Sequence, residues 1–424
     1  MAKSNYSTTI SIDTQNSAIH FYSMVGNDKS TIIHNIKSFS SGKLDEQFFE
    51  KFKRSVRKFT EKTPSKTVRK VTVILPDNAV LTDTVKVPTV KGSGQMQKML
   101  DVTLDGLYKN YNDLHIIAHT ADQNKQYSTI AIAAVQNEII SSIYAACSEN
   151  KVLVDTLTFA SASTVAGATL FNPKLKNASY VFLDIKDVYS KFIFVVNGKV
   201  MGFYTLPFGL EFLRKPKVVQ EDMLFNHAYA ELAVVNAREK AKSKKLSVMD
   251  DINQIPEISE NEESDEDLDE FITVAEEEIA EEIEEEIEEE VTEEVNANIN
   301  VAEKASLPKI LTRKSPRNLP KFMLRQKPET PEQTTYENFR VFVKWALTLI
   351  QGNEKITELG KPHFVCVNLP QNLSFVVDMV NKEIQENGIK FTLLHTGDTE
   401  KTVREHLELY GGLYPNQINA SNKF

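Results

Sequence analysis

The chain carries one local pattern twice, near its start and again in its middle. Residues 8–21 and 180–199 each consist of an apolar strand, an aspartate, a short polar turn and a second β-rich strand. The turns, residues 14–17 and 186–188, contain no glycine, although glycine is the residue that lets backbone N–H groups close on a phosphate. The pattern predicts a duplicated α/β fold whose hairpin turns lack the residue best suited to close on a phosphate.

Charge is distributed unevenly along the chain. Residues 250–303 hold 25 acidic residues and neither Lys nor Arg, which leaves 34 acidic residues against 49 basic ones elsewhere. A stretch so rich in glutamate and so poor in aromatic residues cannot bury enough apolar surface to offset its chain entropy. We therefore predict that residues 248–330, acidic at first and then basic and proline-rich, form a disordered insertion. An isoleucine at every fourth position of residues 279–287 leaves open a helix that forms on binding a partner.

Length and cysteine content restrict the class of protein. A chain of 424 residues is long enough for two or more domains. Its first residues contain no apolar signal core, and its longest apolar runs are far shorter than a membrane span. Cys147 and Cys366 are too few for a disulfide framework. These features predict a cytoplasmic protein.

Periodicity divides the chain into segments. Helical spacing of Phe48, Phe52 and Phe59 indicates a helix within the first segment, between runs of β-rich residues. The predicted segments are a first lobe from residues 6–78 and 156–175, a small inserted α/β module at 79–155, and a second lobe from 176–247 and 331–424.

With these segments in place, the chain resembles the PilM-like family of actin-fold proteins from type IV pilus assembly. It resembles more loosely the FtsA and GspL families. The resemblance is carried by residues 11–19 at the first hairpin, 73–88 leading into the module, and 181–184 with 197–199 at the second hairpin. It implies a two-lobed actin-like (ASKHA) fold with the small module inserted in the first lobe.

The resemblance also implies where a nucleotide would bind, and each part of that site departs from the family pattern. The adenosine-side motif, usually Gly-Gly, is replaced by residues 369–372, where Pro370 removes a backbone donor. Lys186 places a side chain where a phosphate would approach, although a lysine can itself bind phosphate. The implied, degenerate nucleotide site comprises Asp13, Gln15, Asn16, Ser17, Asp184, Lys186, Asp187 and Gln371.

Two of these residues have alternative interpretations. Asp13 and Asp184 would hold Mg²⁺ through water in an intact member of the superfamily. Alternatively, each is a strand-end aspartate that caps the following turn, which we favour because the glycines are missing. We expect no catalytic residue, no metal and no cofactor, with weak ATP binding left open.

Basic clusters at residues 51–58, 238–245 and 313–317 offer contacts with anionic lipid, the acidic segment or nucleic acid. The last two clusters lack interleaved aromatic residues, which argues against nucleic acid as a partner.

The resemblance implies a non-catalytic cytoplasmic scaffold at the inner face of the cytoplasmic membrane, in a type IV pilus-like or related secretion machine. Its partner would be the N-terminal cytoplasmic peptide of a PilN-like membrane protein, bound beside the inserted module, so that membrane association is peripheral. The alternative is a nucleotide-binding, FtsA-like actin homologue of cell division or a polymerising ATPase. The polar residues 416–424 lack the amphipathic membrane helix that would support FtsA.

Overall fold

A computed structural model describes residues 6–14, 18–25, 28–37, 44–62, 69–90, 93–108, 111–206, 208–215, 330–352, 364–383, 389–396 and 400–424. The chain divides into two compact units. The first contains residues 1–215, 322–326 and 361–424, and the second contains residues 216–321 and 327–360. The predicted disordered insertion, residues 248–330, lies outside the described residues except for Thr330.

The first sheet consists of β1 (Tyr6–Asp13), β2 (Ala18–Val25), β3 (Asp28–Lys37), β4 (Arg69–Leu75) and β8 (Val152–Phe159). Its strand order is β3-β2-β1-β4-β8. The β1–β2 and β2–β3 pairs are antiparallel, whereas β1–β4 and β4–β8 are parallel. The first predicted hairpin is therefore present, with Asp13 opposite Ala18 at its closed end.

The second sheet consists of β9 (Tyr180–Ile185), β10 (Ser190–Val196), β11 (Lys199–Leu206), β12 (Phe364–Asn368) and β13 (Lys390–Leu393). Its order, β11-β10-β9-β12-β13, repeats that of the first sheet. The pairings repeat as well, with two antiparallel pairs followed by two parallel ones. Two copies of this strand order in one chain are the two lobes of an actin-like α/β fold, as predicted.

A third sheet forms the inserted module. Its strands are β5 (Leu81–Pro88), β6 (Leu114–Gln123) and β7 (Tyr127–Gln136), and its helix is α2 (Ser93–Leu107). The order is β5-β7-β6, all antiparallel, so β5 and β6 are edge strands. One face of the sheet packs on α2 through Val85, Leu100 and Ile130.

The remaining helices of the first unit are α1 (Glu46–Lys62), α3 (Asn137–Glu149), α4 (Ala160–Phe171), α5 (Leu210–Leu213), α7 (Ser374–Glu383), α8 (Glu400–Glu405) and α9 (Leu407–Leu413). The phenylalanines that predicted α1 are buried in the main core. Ile143 of α3 belongs to the same core, and β8 begins at Val152 within the first sheet. Residues up to 155 were predicted to lie in the module, but those from Val152 onward pair with β4. No described helix is long and apolar enough to cross a bilayer.

The end of the chain returns to the first sheet, although residues 331–424 as a whole were predicted to belong to the second lobe. The α9 helix packs along α4, where Ser163 Oγ donates to Glu408 O at 2.6 Å. Phe424 N donates to Leu157 O at 2.9 Å, on the edge of β8. These last residues complete the first sheet and its helical layer.

The second unit contributes one described helix, α6 (Pro331–Gly352). Its first turn is a capping box: Gln333 N donates to Thr330 Oγ1 at 3.2 Å, and Thr330 N donates to Gln333 Oε1 at 3.1 Å. Phe339 and Phe342 of this helix are both buried.

Glycine at position 411 is required by the contact between α4 and α9. A Cβ atom there would overlap Ser163 O, and one on Gly167 of α4 would overlap Leu407 O. The two backbones therefore approach too closely for any side chain.

We predict that Gly411→Ala lowers the free energy of unfolding by about 3 kcal/mol, because the added methyl group forces the two helices apart. Thermal unfolding followed by circular dichroism measures the change. Gly94→Ala in the first turn of α2 is the matched control, since nothing lies within 4 Å of the added methyl group. Equal melting temperatures for the two variants would contradict the prediction.

Candidate functional site

The second hairpin ends in a buried cluster of charged side chains. Asp184, near the end of β9, is fully buried. Because β9 and β12 are parallel, their carboxyl ends meet at one edge of the sheet, and Asn368 lies beside Asp184. Asn368 Nδ2 donates to Asp184 Oδ1 at 2.6 Å. The other oxygen, Asp184 Oδ2, lies 3.2 Å from Lys186 Nζ.

The ammonium group of Lys186 makes two hydrogen bonds and two ion pairs within the protein. Nζ donates to the carbonyl of Glu405 at 2.7 Å and to that of Arg404 at 3.3 Å. It also lies 3.6 Å from Glu408 Oε2. An ammonium group has three N–H donors; two of them are hydrogen-bonded to these carbonyls, while Asp184 and Glu408 are ion-pair partners and Asp184 Oδ2 accepts no hydrogen bond. Burial alone would lower the pKa of Lys186, but the Asp184 and Glu408 carboxylates outweigh it and raise that pKa.

Lys186 also caps a helix. The carbonyls of Arg404 and Glu405 form the last turn of α8, where a helix leaves its carbonyl groups unpaired and carries partial negative charge. Asn368 Nδ2 donates to Arg404 O as well, at 3.0 Å. The Arg404 side chain folds back, with Nη1 donating to Ile185 O at 3.2 Å. The end of α8 is thus fixed by side chains and backbone of the second sheet.

A chain of polar contacts continues from this cluster to the first hairpin. Glu408 Oε1 lies 3.8 Å from His406 Nδ1, and the His406 ring centre is 5.5 Å from that of His20. His20 Nε2 in turn lies 3.4 Å from Asp13 Oδ2. Burial alone would raise the pKa of Glu408, but Lys186 and His406 outweigh it and lower that pKa. The two predicted aspartates, Asp13 and Asp184, therefore lie at opposite ends of one contiguous polar network.

A second buried ion pair joins the two lobes directly. Lys191 of β10 places Nζ 2.6 Å from Asp77 Oδ2. Asp77 follows β4 and also accepts hydrogen bonds from the backbone N and the Oγ of Ser161, both at 2.8 Å. It therefore caps the N-terminus of α4 and neutralises Lys191 at once. Burial would lower the pKa of Lys191, but Asp77 outweighs it and raises that pKa.

The turn of the second hairpin is closed by backbone contacts. Lys186 N donates to Tyr189 O at 2.9 Å, and Leu210 N donates to Lys186 O at 2.8 Å. Gly209 permits this approach, since a Cβ atom there would overlap the carbonyls of Lys186 and Asp187. The turn itself contains no glycine, but the segment that packs over it supplies one, Gly209.

A cavity of about 840 Å³ opens beside this cluster, at the carboxyl ends of β12 and β13. Its lining includes Asp187 and Gln371, two of the residues predicted for nucleotide binding. Arg404 and Glu405 form the side of the cavity that adjoins the charged cluster. Ligands of α/β proteins commonly bind at this end of parallel strands.

The structure divides the predicted site residues into three groups. Asp184 and Lys186 lie in the charged cluster, Asp187 and Gln371 line the cavity, and Asp13 pairs with His20. Gln15, Asn16 and Ser17 lie outside the described residues. Within the described part of the chain, no three His, Cys, Asp or Glu side chains are grouped as metal ligands.

Sequence reasoning missed most members of the network. The residues not predicted are His20, Asp77, Lys191, Asn368, Arg404, Glu405, His406 and Glu408. One signal was available: Lys191 directly precedes the apolar run of β10 within the same strand, and a lysine in a buried strand requires a carboxylate partner. The residues from 404 to 408 gave no such signal because their role depends on where α8 ends.

Comparisons with known proteins found similar architectures in solved structures. The chain is similar to a chain of the PilM–PilN type IV pilus biogenesis complex, at 10% identity and a TM-score of 0.48, with 97% of this chain and 98% of that one covered. It is similar to the cytoplasmic domain of EpsL from the type II secretion system of Vibrio cholerae, at 10% identity and a TM-score of 0.33, with 48% and 71% covered.

A further similar structure is ethanolamine utilization protein EutJ from Carboxydothermus hydrogenoformans, at 9% identity and a TM-score of 0.32, with 96% and 90% covered. No protein-family model matches the chain, and no curated protein matches it by sequence. The actin-like architecture stands on the duplicated strand order of the chain itself.

We predict that Lys186→Met destabilises the fold strongly. The substitution keeps the length of the side chain but leaves Asp184 and Glu408 buried without their cation, and breaking a buried ion pair from one side costs about 3–5 kcal/mol. Thermal unfolding near neutral pH measures the loss. Lys174→Met, at an exposed position, is the control and should melt like the parent. Equal melting of the two variants would show that the ammonium group is dispensable.

We also predict that the difference in stability between the parent and Lys186→Met depends on pH. The folded state holds the pKa of Glu408 below its ordinary value of 4.5, so its contribution to stability is complete above that value and is lost as pH falls. Lys186→Met removes the chief cause of the lowered pKa. The stabilities of parent and variant should therefore converge as pH is lowered from about 7 to about 3. A gap that stays constant over this range would contradict the assignment.

Proposed function

We propose that this protein is a non-catalytic scaffold of a type IV pilus-like or related secretion machine, acting at the cytoplasmic face of the membrane. The observation that carries the proposal is the state of Lys186. Its ammonium group lies at the second hairpin, where the resemblance implies a phosphate, and it already donates to two carbonyls of the protein and forms an ion pair with Asp184.

The charge of the cluster argues in the same direction. Asp184, Glu405 and Glu408 supply three negative charges against two positive charges from Lys186 and Arg404. An arriving phosphate would meet a net negative site and would have to displace an existing carboxylate from Lys186. Both steps oppose binding. The protein thus satisfies its central cation without nucleotide.

A second candidate function is ATP binding without turnover, in an FtsA-like actin homologue. The observation in its favour is the cavity lined by Asp187 and Gln371. Its volume of about 840 Å³ lies within the range of small-molecule sites. Under this alternative the cavity holds the nucleoside, while the cluster around Lys186 still excludes the chemistry of hydrolysis.

We predict that the purified protein releases no phosphate from Mg²⁺-ATP above a buffer blank, since the turn of the second hairpin lacks glycine and its lysine, Lys186, is already paired with Asp184. A malachite-green or coupled assay measures turnover. Asp13→Ala is the control for a contaminating ATPase, because contamination would persist in that variant. Turnover that Asp13→Ala abolishes would overturn the non-catalytic proposal.

The partner in this proposal is the cytoplasmic peptide of a PilN-like, single-span membrane protein, with membrane association peripheral and nucleic acid not a partner. We place the peptide on the free edge of β6 in the inserted module. The opposite edge, β5, is blunted: Thr84 N donates to the side chain of Asp83 at 2.6 Å and so points away from β7. An edge N–H satisfied within its own chain cannot recruit an added strand.

The pairing register identifies the outward groups of β6. Ala131 of β7 lies opposite both Thr84 and His119. Because Thr84 faces outward, Ala131 bonds His119 instead, and the neighbours Ala118 and Thr120 then face outward from β6. Thr120 O accordingly accepts from a side chain, Lys199 Nζ, at 3.4 Å. An extended peptide would pair with these outward groups.

We predict that Ala118→Pro abolishes binding of the partner's tail peptide, because it removes an outward N–H that the β6–β7 ladder does not use. Fluorescence anisotropy with a labelled tail peptide measures binding to the full chain. Thr84→Pro, the equivalent change on the β5 edge, is the matched control and should bind like the parent. Loss of binding in Thr84→Pro alone would place the peptide on β5 instead. Equal binding by the parent, Ala118→Pro and Thr84→Pro would overturn the proposal that the peptide adds as a strand.

A further inference from the structure

His119 occupies an unusual position on β6. Along this strand Ile116 packs with the α2 cluster, whereas Ile117 packs with the main core. Alternation therefore places His119 on the face of the sheet that turns away from α2. On the same face, β11 passes close to the module: a Cβ atom on Gly202 would lie 3.8 Å from Thr82 Oγ1.

Neither ring nitrogen of His119 has a hydrogen-bond partner, although both are buried. Burial and, to a smaller extent, the nearby charge of Lys199 lower the pKa of this imidazole to about 4. The ring is thus neutral near pH 7, with one donor and one acceptor unused. Unpaired buried polar groups reduce stability, and each one in a folded protein calls for an explanation.

Lys199 is held near His119 by a rigid turn. Asn197 and Gly198 both have positive φ, at 51° and 75°, as in the tight turns favoured between antiparallel strands. Gly198 N donates to Ala178 O at 3.1 Å, and a Cβ atom on Gly198 would overlap Lys176 O. This packing leaves Lys199, the first residue of β11, facing β6.

The Lys199 ammonium group has one hydrogen-bond partner, the carbonyl of Thr120. No carboxylate of the described residues lies within ion-pair distance of it. A half-buried cation without a counter-ion thus stands next to an imidazole without a partner. The two groups come from different parts of the chain, His119 from the inserted module and Lys199 from the second sheet.

We propose that His119 and Lys199 together form a carboxylate-binding site at the junction of the inserted module with β11. The anion accepts from the Lys199 ammonium group and from one N–H of the His119 ring, which rotates toward the partly exposed side of the residue. A carboxylate fits this donor set because it has two oxygens in one plane. A phosphate has more acceptor oxygens than an ammonium group and one imidazole N–H can satisfy, so a carboxylate is the better match.

The source of the carboxylate follows from the position of the site, and this step rests on the proposed function. Thr120 follows His119 on the β6 edge; its outward N–H is available to an added strand, and its carbonyl accepts from Lys199. An aspartate or glutamate of a peptide lying on that edge would place its side chain at Lys199. The site thus acts as a specificity contact for an acidic residue in the bound peptide.

The test uses the full chain labelled with ¹³C-histidine, and it needs no peptide. Sodium acetate is added at pH 7 and constant ionic strength, with chloride as the balancing salt, and the imidazole signals are followed by NMR. The His119 signal is assigned by its absence from His119→Gln. We expect it to shift saturably with acetate, whereas His115, exposed on the same strand, keeps its shift.

Lys199→Met should abolish the response of His119, and phosphate in place of acetate should not produce it. A His119 signal that ignores acetate, responds equally in Lys199→Met, or responds to phosphate alone would overturn the proposal. This test does not depend on the test of the proposed function, because the response of His119 to acetate can persist in Ala118→Pro even when peptide binding is lost. If the site acts on the peptide, replacing the peptide's acidic residues by amides should weaken binding to the parent and leave Lys199→Met unaffected.

Discussion

The buried ammonium group of Lys186 is the interaction on which the arrangement of the two lobes depends. It joins Asp184 of the second sheet, the end of α8 and Glu408 of α9, and the Glu408 backbone is bonded to α4 of the first lobe. Removing a charge from water costs several kcal/mol, and only dense pairing can offset that cost. Loss of any one partner of Lys186 would leave the remaining buried charges with too little pairing, so the cluster is a cooperative unit.

Lys191 and Asp77 form a second buried ion pair of the same kind at the first lobe. Both pairs combine a lysine from the second hairpin with a carboxylate that also serves a helix: Asp77 caps α4, and Glu408 opens α9. Side chains of the protein thus supply charged contacts from the second hairpin to both Asp77 and Glu408.

The sequence alone predicted the architecture because strand periodicity is local. The two hairpins, the phenylalanine face of α1 and the separate sheet of the module all follow from residues close together in the chain. The charged cluster was not predictable in this way. Whether Lys186 binds phosphate or protein depends on the position of Glu408, more than 200 residues later, and no local pattern encodes that distance. The crossing of α9 to the first lobe was missed for the same reason, since a short helix with two glycines carries little signal of its own.

The return of α9 to α4 has a consequence for how the chain folds during synthesis. Ser163 and Glu408 are separated by 245 positions, so the helical layer of the first lobe stays incomplete until almost the whole chain has left the ribosome. At about 5–20 residues per second this interval lasts roughly 10–50 seconds. During it, the glycine surface of α4 and the edge of β8 are uncovered. Contacts of such long range also slow the final step, because loop closure must precede any gain from packing. The nascent first lobe is therefore the stage at which this protein would depend most on chaperones.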